Sequence, residues 1–76
     1  MSDMKKPMEF EVTYHDDMVQ QTHKFIRVVS AVKDISESDR KSILQTLSWA
    51  NRCLDENDYL AWRNAMNMAA KTWAMI

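Results

Sequence analysis

Residues 57–76, NDYLAWRNAMNMAAKTWAMI, decide how this chain folds. Tyr59, Trp62, Met66, Ala69, Trp73 and Ile76 recur at alternating intervals of 3 and 4, which makes the seam of an amphipathic α-helix. Ala61, Met68 and Met75 widen that seam until apolar side chains take up more than roughly half of the helix circumference. Asp55, Asn57 and Asp58, just before it, each carry a side-chain oxygen suited to capping its first turn. A helix this apolar needs neighbours, and the rest of the chain has to supply them.

Two further helices precede it. Ser36 opens the nearer one with Asp39 at the third position after it, and Ile43, Leu47, Ala50 and Leu54 form its inner stripe. Leu44 lies beside that stripe, Lys41, Gln45 and Arg52 face away, and Trp49 falls on the border with the polar face. The first helix is expected to open at Thr13, whose hydroxyl caps a turn carrying Asp16 and Asp17 at the positive end of the helix dipole. Met18, Thr22, Phe25, Val29 and Val32 then follow at helical spacing and carry it to about Asp34. Further upstream, Met8, Phe10, Val12 and Tyr14 alternate with Glu9, Glu11 and Thr13, the period of a short strand. The expected fold is all-α, a small antiparallel three-helix bundle. It forms one domain, with residues 1–12 as a short extended or flexible N-terminal arm and 13–76 as the helical core.

Composition narrows the function. Apolar residues make up 46% and charged residues 28% of the chain, a globular balance. At 76 residues, however, one core barely outweighs conformational entropy, so burial against a second chain would help. The net charge of −1 argues against a partner held by bulk electrostatics, such as a phosphate backbone or an anionic membrane. The N-terminal residues lack the apolar run of a signal peptide, and no stretch approaches the roughly 18 apolar residues of a membrane span. No membrane association is expected. With Cys53 as the one cysteine, no intramolecular disulfide forms, and a cytoplasmic location fits. Glycine is absent, which removes most phosphate-cradling loops and nucleophile elbows.

The remaining chemical candidates are weak. His15 and His23 stand eight residues apart on different parts of the helical surface, and together with Asp16 they do not complete a metal-ligand set. Cys53 has neither histidine close to it in sequence and reads as a small buried hydrophobe. The scattered carboxylates nominate no acid and base pair. The expectation is therefore no metal, no cofactor and no enzymatic activity.

Association is the better-supported expectation. Methionine and tryptophan are over-used at adaptable interfaces, and Trp49, Met68, Met75 and Ile76 lie at or beyond the edges of the inferred core. They predict a homodimer that also engages a larger protein. The implied function is a non-catalytic, regulatory or inhibitory protein-binding module of the accessory kind encoded by phages and plasmids. The alternative is a DNA-binding regulator. Arg63, Asn64, Asn67 and Lys71 line the outer face of the last helix and are side chains suited to base edges and phosphates. Against it, Asp55, Glu56 and Asp58 crowd the end of that helix nearest the phosphates. A strand followed by helices also resembles, in element order alone, ribbon-helix-helix dimers, but here Glu9 and Glu11 would present the wrong charge to DNA.

Overall fold

The computed structural model describes residues 10–76. Among these, three helices follow one another through short connections: α1 (His15–Ala31), α2 (Glu37–Asp55) and α3 (Tyr59–Met75). The start of α2 reaches the end of α1 through Arg40, whose Nη1 donates to the carbonyls of Val29 at 2.6 Å and Ser30 at 3.1 Å. At the starts of α1 and α3 the rings of His15 and Tyr59 meet edge-on, and toward their ends Phe25 meets Trp73. The chain therefore runs up, down and up, with α2 antiparallel to both neighbours.

Each boundary has a local cause. Ser36 caps α2, its hydroxyl accepting from the Asp39 amide at 3.0 Å, and Asp58 caps α3, its carboxylate accepting from the Ala61 amide at 3.3 Å. Between them α2 ends in a Schellman turn: the Asp58 amide donates to the Cys53 carbonyl and the Asn57 amide to that of Leu54. Asn57 holds the left-handed position of this turn at φ 57°. The commonest residue there is glycine, which this chain lacks, and asparagine is the usual substitute.

The first helix differs from the sequence expectation at both ends. It begins at His15 with Tyr14 as its cap, and no side chain closes the cap. Thr13 is one residue too early, because the Tyr14 carbonyl already accepts the Met18 amide. Asp16 and Asp17 occupy the first turn as expected. The helix stops at Ala31, since Val32 turns extended at ψ 135°. No basic residue of α1 itself serves its last turn, and Arg40 of α2 fills that role.

The core takes one stripe from each helix. Met18, Thr22, Phe25 and Val29 of α1, Ile43, Leu47, Ala50, Cys53 and Leu54 of α2, and Trp62, Ala65, Met66, Ala69 and Ala70 of α3 are all buried. Small side chains at Ala50, Ala65 and Ala69 suit the extensive packing of α2 on α3. The backbones of α1 and α3 meet much less, and aromatic rings bridge the space between them.

The alternating stretch upstream is not a strand among the described residues; Met8 and Glu9 lie outside them. An extended segment alone has no ladder partner, and among its described apolar side chains only that of Phe10 finds the core. Phe10 stacks on Phe25 with centroids 6.0 Å apart and meets the edge of Trp62 at 6.3 Å. Its amide donates to Asn67 Oδ1 at 2.9 Å, which ties the arm to α3. Val12 and Tyr14 remain exposed.

Candidate functional site

The outer face of α3 gathers most of the residues that the sequence nominated. At about 100° per residue, Leu60, Asn64, Met68, Lys71 and Met75 fall within an arc of roughly 80° on the side opposite Trp62 and Ala69. All five are exposed. For the apolar members the exposure is large: 62% for Leu60, 54% for Met68 and 81% for Met75. Two turns separate Leu60 from Met68 and two more separate Met68 from Met75, so an apolar stripe runs the length of the helix, broken by Asn64 and Lys71.

Beside this stripe lies an open groove of about 930 Å³ between α3 and the arm. Arg63, Asn64, Asn67 and Lys71 all line it, so the structure brings the four nucleic-acid candidates together. Phe10, Glu11 and Val12 form the opposite wall, and Ala70 and Ala74 contribute apolar surface. Two features change the chemistry of this groove. The Oδ1 of Asn67 already accepts the Phe10 amide, and Glu11 sets a carboxylate in a groove whose other charges are Arg63 and Lys71. No acidic residue occurs within α3, and among the described residues neither Arg63 nor Lys71 has an ion-pair partner.

The four interface candidates come from two helices and one helix end. Met68 and Met75 share the outer face of α3, Trp49 is 43% exposed on α2, and Ile76 caps α3 at 36% exposure. Leu60 is more exposed than Met68, yet the heptad seam passes it by. Its interval of eight residues from Met68 was the signal that it shares the outer stripe. Trp62 and Met66 are fully buried and Trp73 packs against the core.

The residues considered for chemistry are dispersed. His15 Nδ1 lies 3.1 Å from the Tyr59 hydroxyl, which donates to Asn57 Oδ1 at 2.9 Å, and His23 is exposed elsewhere on α1. Cys53 is buried and free. Burial pushes its thiol pKa up, and the carboxylates of Asp58 and Glu56 add to the rise. Such a thiol stays protonated at neutral pH and is a poor nucleophile. Among the described residues no group of three or more His, Cys, Asp or Glu is placed to hold a metal ion. Nor is any helix there long and apolar enough to cross a membrane.

No family model, curated protein or solved structure matches the chain.

Proposed function

We propose that the protein is a non-catalytic binding module that acts by covering the surface of another protein, with the outer face of α3 as its contact surface. The observation that carries this reading is the exposed stripe of Leu60, Met68 and Met75 on a helix whose opposite face is fully packed. The core closes without these side chains, so their apolar character has no role in folding that packing explains. Methionine suits a surface that adapts to its partner, and Arg63 and Lys71 supply orientation at the rim. A regulatory or inhibitory effect follows when such a face occupies a partner's working surface.

The groove beside the stripe favours DNA binding by residue type and disfavours it by geometry. Bidentate reading of adenine needs the amide oxygen of an asparagine, and that of Asn67 is engaged by the arm. Glu11 stands where a phosphate would approach, and the chain as a whole carries a net charge of −1.

Affinity capture from native cells with wild-type protein, Met68→Glu and the pair Arg63→Ala with Lys71→Ala tests the proposal. One partner retained by wild type and lost with Met68→Glu supports it, provided circular dichroism shows an intact fold. Retention of random duplex DNA that falls steeply with salt and disappears in the Arg63 and Lys71 variant would replace it with the regulator reading.

A further inference from the structure

We infer that, in the free protein, a second copy of this chain covers the outer stripe of α3, with the two α3 helices antiparallel across a two-fold axis between Asn67 and Met68. The inference rests on the reading of that face as a protein-contact surface and names its first occupant.

The stripe is close to self-complementary. A two-fold axis at that point sets Leu60 of one copy against Met75 of the other, Asn64 against Lys71, and the two Met68 side chains near the axis. Each end of the helix then pairs one apolar side chain with another over a length of roughly 22 Å. The exposures of 62%, 54% and 81% at Leu60, Met68 and Met75 are what such a contact would cover.

Charge chooses between the two possible two-fold arrangements. In a parallel pair every residue faces its own copy, which brings Lys71 against Lys71 and Arg63 against Arg63. The antiparallel pair separates them and sets Lys71 beside the neutral Asn64. Because α3 holds no acidic residue, any complement to Lys71 has to come from outside the helix. The arm supplies one. The Phe10 amide is bonded to Asn67, and the chain then runs to His15, which meets Tyr59 at the start of α3, so Glu11 lines the groove on the Asn64 side of Asn67, the level that faces Lys71 of the second copy. Self-association therefore brings Glu11 of each copy alongside Lys71 of the other. A single helix pair is a small interface, which fits a dissociation constant on the order of micromolar. A larger protein that binds the same stripe would compete with the second copy.

Sedimentation of the 76-residue chain from about 1 to about 500 μM should show twice the chain mass at the upper end. Lys71→Glu should weaken the dimer about tenfold by facing Glu11, and adding Glu11→Lys should restore it. Register is read by disulfide trapping: Met68→Cys should link to itself, and a mixture of Leu60→Cys with Met75→Cys chains should give mixed dimers in preference to either self-linked species. A monomer throughout the range would overturn the inference, as would Leu60→Cys linking to itself as readily as in the mixture, or no rescue by the charge swap. If the chain is monomeric but Met68→Glu still abolishes partner capture, the second copy fails and the contact surface stands.

Discussion

The indole of Trp62 donates from Nε1 to the hydroxyl of Thr22 at 2.8 Å, and both residues are fully buried. Thr22 in turn donates to the Met18 carbonyl one turn earlier at 2.7 Å. A tryptophan at the centre of a small helical core brings one polar hydrogen that water cannot reach, and this relay satisfies it without leaving the hydroxyl unpaired. The pair also links α1 to α3, whose backbones otherwise meet little. The alignment of the two helices thus rests on this polar contact inside an apolar layer together with the ring contacts of His15 with Tyr59 and of Phe25 with Trp73.

Thr22→Val keeps the shape of the side chain and removes the acceptor. The buried Trp62 N–H is then unpaired, and stability should fall by about 1–3 kcal/mol in urea denaturation. Thr22→Ser, which keeps the hydroxyl, should lose only about 1 kcal/mol for the missing methyl. Equal losses for the two would show that packing, rather than the hydrogen bond, accounts for the site.

The sequence made the three helices legible because each carries a mostly apolar stripe at helical spacing; Ser36 announces its cap by residue type, and Asp58 was one of three candidates beside Asp55 and Asn57. Thr22 appeared in the stripe of α1 only as a spacing match. Its bond to Trp62 joins residues 40 apart in the chain, and local periodicity carries no signal for such a contact. The arm misled for a related reason, since period-2 alternation describes an extended backbone but cannot say whether a partner strand exists. On the outer face of α3, Met68 and Met75 were readable as surplus to the seam. Glu11 as a groove wall was not, because it arrives there through the bond between Phe10 and Asn67.

Arg40 closes the end of α1 from α2, with its side chain 17% exposed. Arg40→Met preserves the aliphatic stem and removes the donors to Val29 and Ser30. Partial exposure lets water take their place, so a loss of about 1–2 kcal/mol is expected, accompanied by faster amide exchange in the last turn of α1. The nearby ion pair with Glu37 at 3.4 Å involves a largely exposed carboxylate, and Glu37→Gln should change stability by less than about 0.5 kcal/mol.

Asn57 is the one described residue with positive φ. Replacing it with glycine removes the side-chain strain of the left-handed conformation, and the exposed bond from Tyr59 is a small loss, so Asn57→Gly should be neutral or stabilising by up to about 1 kcal/mol. Asn57→Val puts a β-branched side chain where it fits worst and should cost about 1–2 kcal/mol. Thermal midpoints in that order would identify the turn conformation as the determinant. A stabilised Asn57→Val would show that the turn adopts another geometry in solution.

Cys53 gives a pH signature of the folded core. Its thiol lies above the ordinary value of 9.0, first because burial disfavours the thiolate and then because Asp58 and Glu56 repel it, against a smaller pull from Arg52. In the unfolded chain the thiol ionises at its ordinary value, so from there upward the unfolded state holds fewer protons than the native state. Stability must then fall as pH rises. The contribution is fully present below the unfolded value and is lost through the interval between the unfolded and folded values. Urea denaturation at pH 7 and pH 10 should therefore show a larger decline for wild type than for Cys53→Ala, the difference between the two isolating the contribution of this thiol. The same burial predicts alkylation of the native protein on the order of a hundredfold or more slower than of the unfolded chain. Rapid alkylation at pH 7 under native conditions, or identical pH slopes for the two proteins, would place Cys53 in contact with solvent and take α2 out of the packing described for it.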